Sequence, residues 1–279
     1  MRVYISVDME GIAGVSHPKP TGRADSEYPA AAALMTGEAN AAIAGAVAAG
    51  ATDILVNDSH GGMYNLRPID LDPAARVLQG QKAWSMVAGA TPRDGRPSFD
   101  VALFVGYHAR AGHASGTIAH TYSGAPTETR LNGRPTGEYG FNALVLGAWG
   151  IPVGLVAGDD ALAAEVADLL PWAERVVVKE GHGTSAAASL HPQRARDAIR
   201  EGAARALERA GREGELRLLD VARPVVIEVD YHRAIEADYA AIVPMATRVG
   251  DRTVRHSGDD PVVAYRGFLA GVRLASLVE

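Results

Sequence analysis

Along the chain, short apolar runs alternate with longer alanine-rich or amphipathic stretches. Val3-Tyr4-Ile5-Ser6-Val7 reads as a first strand. Pro29 stands where the first turn of a helix accepts proline, and the alanine-rich stretch it opens is closed by Gly50. Ile54-Leu55-Val56 is a second strand and Ala75 to Leu78 a third. Val101-Ala102-Leu103-Phe104-Val105 is uninterrupted, the pattern of a strand buried on both faces of a parallel sheet. Thr117 to Tyr122 and Glu128 to Leu131 read as extended, with Asn132-Gly133 as a hairpin turn signal. A helix from Glu138 to Trp149, a strand from Val153 to Val156, a helix from Asp160 to Leu170 and a strand at Val176-Val177-Val178 follow. This alternation predicts an α/β fold, a mostly parallel sheet flanked by helices and joined by right-handed crossovers.

After a helix rich in Ala, Arg and Glu, about Pro192 to Gly211, the rhythm changes. Pro224 to Val229 reads as a strand, Arg233 to Ile242 as a helix, Thr247-Arg248-Val249 and Thr253-Val254-Arg255 as a hairpin around Gly250-Asp251, and Asp260 to Leu277 as a last helix. The expected division is an α/β domain over 1–210. A smaller C-terminal α+β domain over 211–279 would serve oligomerisation or complete a pocket.

Composition narrows the chemistry. The 279 residues are 47% hydrophobic and 22% charged, as in globular proteins. Cysteine is absent, which excludes disulfides, thiol nucleophiles, zinc–thiolate sites and iron–sulfur clusters. A metal must therefore sit on His, Asp, Glu or backbone oxygen. The net charge of −6 carries no basic stripe, so a nucleic-acid partner is not expected. The low-polarity stretch from Ala30 to Ala51 includes Glu38 and Asn40 and suits a packed helix better than a membrane span. No export signal is visible, and a cytoplasmic location is the expectation.

Three predicted strands end in chemistry: Asp8-Met9-Glu10-Gly11, Asn57-Asp58-Ser59-His60-Gly61-Gly62 and Gly106-Tyr107-His108-Ala109-Arg110. In an open α/β sheet, ligands bind beyond the carboxyl ends of the strands. If these strands are neighbours, Asp8, Glu10, Asp58, His60 and His108 converge, and Asp159 and Asp160 lie on the same edge. Each has an ordinary structural reading: Asp8 or Asp58 as a turn cap, His60 as a loop residue, His108 as a hydrogen-bonded core histidine. Together they form a thiolate-free ligand set suited to zinc, and also to manganese or iron. The carboxylates permit a bridged two-metal site. On local evidence His120 is a strand histidine of either orientation, Glu138 a first-turn acid favoured by the helix dipole, and Arg110 a carboxylate clamp or a surface arginine. The other histidines, His256 among them, read as solvent-facing.

Ser6-Val7-Asp8-Met9-Glu10-Gly11, Val56-Asn57-Asp58-Ser59-His60, Gly106-Tyr107-His108-Ala109-Arg110 and Gly133-Arg134-Pro135-Thr136-Gly137-Glu138 resemble the signature blocks of the DppA-type D-aminopeptidases, zinc metallopeptidases associated with dipeptide-permease operons. The resemblance extends to Glu38-Ala39-Asn40, Ser85-Met86-Val87 and Val156-Ala157-Gly158-Asp159-Asp160, and weakens after about residue 180. It implies two zinc ions per subunit on Asp8, Glu10, His60, His108 and Glu138, and His120 as the catalytic histidine. It also implies hydrolysis of the N-terminal residue of short D-amino-acid (D-Ala-type) peptides by a metal-activated water. In such a mechanism a metal or a carboxylate such as Asp159 would hold the substrate amine. Finally, it implies a homodecamer of two stacked pentameric rings.

Two other readings compete. Asp8 with an acid two residues on suits an aspartyl-phosphate phosphohydrolase, which needs magnesium and a downstream lysine and leaves His60 and His108 unexplained. A metal- or peptide-binding oligomer without turnover is the non-enzymatic alternative.

Overall fold

The computed structural model describes residues 1–278. Its strands are β1 (Arg2–Val7), β2 (Asp53–Asp58), β3 (Ala75–Leu78), β4 (Val101–Tyr107), β5 (Pro126–Leu131), β6 (Arg134–Pro135), β7 (Val153–Asp159), β8 (Glu174–Gly181), β9 (Ala187–Ser189), β10 (Val225–Tyr231), β11 (Ala246–Arg248) and β12 (Thr253–Gly258). The helices are α1 (Tyr28–Ala48), α2 (Glu138–Ala148), α3 (Asp160–Leu169), α4 (Pro192–Ala210), α5 (Ala234–Ala240) and α6 (Pro261–Ala275).

The main sheet has seven strands in the order β3-β2-β1-β4-β7-β8-β9. All its pairings are parallel except that of β8 with β9. Helices α1 and α4 pack together on one face, and α2 and α3 lie on the other. Every residue of β4 is buried, as its unbroken apolar run predicts for a strand covered on both sides. In α1 the buried positions Ala32, Met35, Ala39, Ala42 and Ala46 recur at three and four residues, so its small side chains form a helical stripe against the sheet. One stretch of this helix reaches a mean hydropathy of 1.2, yet 61% of that window is buried inside the protein.

Strand order reverses at β1. The chain passes from β1 to β2 and β3 on one side, then crosses to β4 and β7 on the other. This is the switch point at which open α/β sheets open a crevice at their carboxyl edge. Two glycines let the strand ends approach there. Gly106 has φ +71°, and a Cβ on it would lie 2.2 Å from the Asp8 carbonyl oxygen; a Cβ on Gly11 would lie 1.8 Å from that of Tyr107.

The second sheet is antiparallel, in the order β11-β12-β10-β5-β6. Strand β10 alternates buried and half-buried residues, the mark of one covered face. Helices α5 and α6 lie against this sheet. The β5–β6 hairpin turns on Asn132 (φ 47°) and Gly133 (φ 80°), the positive pair that a two-residue hairpin loop requires. The second sheet therefore draws on strands from both sides of residue 210, with β5 and β6 from the 126–135 stretch completing the C-terminal strands. One departure from the sequence reading concerns Thr117 to Tyr122, which is not a strand. Ile118 and Tyr122 have positive φ (56° and 60°), and the backbone amides of Thr117 and Ile118 donate to the Asp159 carboxylate and the Thr184 carbonyl instead of to a sheet neighbour.

Candidate metal centre

Parallel pairing of β1 with β2 and with β4 sets the residues after Val7, Asp58 and Tyr107 side by side. Asp8 and Glu10 follow β1 in a turn rather than on a continued strand, His60 follows β2, and His108 follows β4. All four side chains are buried. Glu138 opens α2, where an acid at the N-terminus meets the helix dipole. His120 comes from the irregular loop that precedes β5.

The side chains meet in one volume. His60 Nδ1 lies 2.9 Å from Glu10 Oε2 and 3.2 Å from Asp8 Oδ1. His108 Nε2 lies 3.6 Å from both Asp8 Oδ2 and Glu138 Oε1. His120 Nε2 is 3.8 Å from Glu138 Oε1, and its ring stacks on that of His108 with centroids 4.1 Å apart. Donor atoms of Asp8, Glu10 and His108, and separately of His108, His120 and Glu138, fall within 4.8 Å of one another. These two overlapping triads share His108.

The far side of each imidazole fixes what the near side offers. His108 Nδ1 is 2.9 Å from the Ala109 carbonyl, His120 Nδ1 is 2.8 Å from that of Ile118, and His60 Nε2 is 3.0 Å from that of Thr21. A carbonyl only accepts, so each of these nitrogens carries the proton and donates it. The other nitrogen of each ring then faces the carboxylates. In His108 that nitrogen is buried without any hydrogen-bond partner. A histidine held through one nitrogen by a backbone carbonyl, with the other aimed into a cluster of acids, is the usual setting of a metal ligand.

The electrostatics agree. Burial, with Glu10 and Glu138 beside it, pushes the Asp8 carboxyl well above its ordinary range. Burial acts on Glu10 in the same sense, but the charge and hydrogen bond of His60 outweigh it and hold Glu10 well below. Burial alone would neutralise His60; Glu10 and Asp8 outweigh it and keep its proton on. Burial and the neighbouring His120 ring lower His108. Three carboxylates buried together need positive charge among them, and the His60 proton supplies part of it. The donor set of imidazole nitrogens and carboxylate oxygens, with one buried nitrogen unpartnered, fits zinc.

Of the residues singled out from the sequence, Asp8, Glu10, His60, His108, Glu138 and His120 are brought together. Asp58 is not among them: its Oδ2 accepts from the Asn65 and Leu66 amides (2.5 and 2.7 Å) and so shapes the loop that carries His60. Asp159 is also committed, capping α3 through Leu162 N and holding Thr117 N, each at 2.8 Å, so it is not placed to receive a substrate amine. Arg110 faces Glu165 at 3.6 Å rather than the cluster. His256, read as solvent-facing, is buried under α6. The sequence reading passed over Lys179, whose only signal is a lysine closing the apolar run of β8, and gave Glu38 no role of its own.

The D-aminopeptidase family profile matches residues 1–270. A D-aminopeptidase of Bacillus subtilis (strain 168) is 36% identical over 277 residues, covering 99% of this chain and 98% of its own length. The solved structure of the Zn-dependent D-aminopeptidase DppA from Bacillus subtilis, described as a self-compartmentalizing protease, superposes with a TM-score of 0.93 at 34% identity and covers 100% of this chain and 99% of its own. With near-complete coverage in sequence and in fold, the chain belongs to the D-aminopeptidase family.

Proposed function

We propose that this protein is a zinc-dependent aminopeptidase that releases the N-terminal residue of short peptides of D-amino acids, D-alanyl peptides first among them. The observation that carries the reading is the arrangement of three imidazoles around three buried carboxylates, each ring held from behind by a backbone carbonyl. Asp8, Glu10, His60, His108 and Glu138 would hold two zinc ions, with the carboxylates able to bridge. Zinc bound there supplies a Lewis acid for the peptide carbonyl and lowers the pKa of water toward neutrality. His120 is left for proton transfer. Its Nδ1–H is spent on Ile118, and its side chain is 27% exposed, so Nε2 can be reached from solvent. That nitrogen can take the proton a water loses on attacking the carbonyl and return it to the departing amine. Burial of the remaining groups keeps bulk water from the reacting atoms.

The preference for D-residues, a homodecameric assembly that encloses the active sites, and a cytoplasmic location complete the proposal. The first two are supported by the relatives' described activity and self-compartmentalization. Nothing favours a phosphohydrolase: Asp8 is shared between His60 and His108, and the nearby lysines, Lys179 and Lys82, turn their ammonium groups to backbone carbonyls. The test is release of alanine from D-Ala and L-Ala dipeptides, with and without chelator, beside a phosphate ester and with zinc content measured. Chelator-sensitive release from the D-peptide, with about two zinc per chain, is the expected result. Full activity in zinc-free protein, or phosphate release alone, overturns the reading.

A further inference from the structure

We propose that Lys179 and Glu38, neither of them a metal ligand, position the loop that presents Glu10 to the metal site. The inference rests on the zinc reading above and adds a pair of positioning residues to it.

Lys179 lies near the end of β8 with 1% of its surface exposed. An ammonium has three protons to donate. This one points all of them at a single loop: the carbonyl of Glu10, the carbonyl of Ile12 at 3.4 Å and the carbonyl of Val15 at 2.5 Å. Among the described residues it has no carboxylate within ion-pair distance. Glu38, buried in α1, holds the same loop from another element. Its Oε1 accepts from the Ala13 amide at 2.9 Å, and its Oε2 is buried without a partner. Between residues 10 and 15 the chain is thus gripped by a buried ammonium through its carbonyls and by a buried carboxyl group through an amide. The Gly11 amide adds a bond to the Gly106 carbonyl at 2.8 Å, and Gly14 donates to Ser189 Oγ at 3.1 Å.

Packing alone does not call for this arrangement. A methionine would fill the Lys179 volume, and burying an ammonium is costly unless its protons are met. What the lysine does that methionine cannot is gather the carbonyls of a loop outside any strand ladder. One of those carbonyls belongs to Glu10. The backbone of Glu10 is therefore held by Lys179 while its carboxylate faces His60. A shift of the loop would carry the carboxylate out of the donor cluster, and such supporting contacts are worth 10–100-fold in metal affinity or activity.

The test uses the full-length protein with Lys179→Met and Glu38→Gln. Zinc affinity is read by competition with a chromogenic chelator, donor geometry by the absorption of the cobalt-substituted protein, and loop order by hydrogen exchange over residues 10–15. For Lys179→Met the expectation is zinc affinity lower by about 10–100-fold, an altered cobalt spectrum, and faster exchange centred on 10–15. It includes a fall in kcat with KM within about twofold, since only the reacting centre is disturbed. Glu38→Gln moves each readout the same way by a smaller factor. Folded variants with wild-type zinc affinity and cobalt spectrum overturn the proposal. If Lys179→Met does not fold, Glu38→Gln decides alone, and unchanged affinity there overturns it. Wild-type protein that takes up no zinc defeats the proposed function instead. In that event, exchange over 10–15 still reads whether the pair holds the loop, and unchanged exchange overturns it.

Discussion

Two histidines of this protein are buried with Nε2 unpartnered, and they sit in opposite surroundings. His108 stands at the end of β4 among Asp8, Glu138 and the ring of His120. His256 stands in β12 under α6, with the Phe268 ring 6.4 Å away and Gly271 leaving room for its imidazole. Burial, with no charge set against it, pushes His256 down to about 4. An orphaned ring nitrogen is thus no signature of a metal site by itself. What distinguishes His108 is the anions that converge on it, and they converge because three adjacent strands end there. The apolar setting of His256 serves packing.

The largest expected difference between the two is catalytic. His108→Ala should abolish detectable peptidase activity and lower zinc content below that of the wild type, because both donor triads lose their shared member. His256→Leu should leave kcat and KM unchanged. Peptide hydrolysis and metal analysis of the two variants side by side check this. Retained activity in His108→Ala would remove that residue from the site, and a large loss in His256→Leu would collapse the distinction.

How much of this was legible in the chain follows from the same contrast. The uninterrupted apolar run of β4 and the short runs of β1 and β2 announce strands buried on both sides, so a polar residue just past each had to lie at a sheet edge. That is why Asp8, Glu10, His60 and His108 could be grouped without coordinates, and why the same argument also took in Asp58, whose carboxylate holds the loop after β2 instead. Glu138 and His120 needed family resemblance, because one sits in a helix's first turn and the other in a loop whose backbone hydrogen bonds go to Asp159 and Thr184. Alternation in Thr117 to Tyr122 imitates a strand, and nothing local reveals the two positive φ values that bend it. His256 and Lys179 were illegible for a common reason. Each lies on a strand whose cover comes from a distant segment, α6 for one and the 10–15 loop for the other. Burial imposed from far along the chain leaves no mark in local polarity.

The next effect is on stability, and it belongs to His256. Its folded pKa is depressed to about 4 from an ordinary 6.5, so between those values the unfolded chain binds a proton that the folded protein does not. Stability therefore rises with pH across that window and is lost as pH falls from 6.5 toward 4. At 1.36 kcal/mol per unit, the full contribution is about 3 kcal/mol. Urea unfolding of chelated protein at a series of pH values should show a shallower acid loss in His256→Leu than in the wild type. Parallel curves would mean that water or a local opening already solvates the ring.

The smallest effect has the opposite sign, and it separates function from stability within the metal centre itself. Burial and the neighbouring Glu10 and Glu138 raise the folded pKa of Asp8, so ionised Asp8 weakens the fold at neutral pH, its hydrogen bond from the Met9 amide notwithstanding. Asp8→Asn keeps the shape and removes the charge. In chelated protein at neutral pH it should stabilise the fold by about 1–2 kcal/mol, within the range seen when a strained functional site is relaxed. In zinc-loaded protein the gain should vanish or reverse, because stabilisation by a bound ligand grows with its affinity and the variant gives up a carboxylate ligand. Activity should fall in the same sample. Thermal unfolding of both proteins, with and without zinc, reads the crossing directly. A variant less stable than the wild type in the absence of zinc would show that the His60 proton already satisfies the acids, and that the cluster carries no standing excess of negative charge for a metal to relieve.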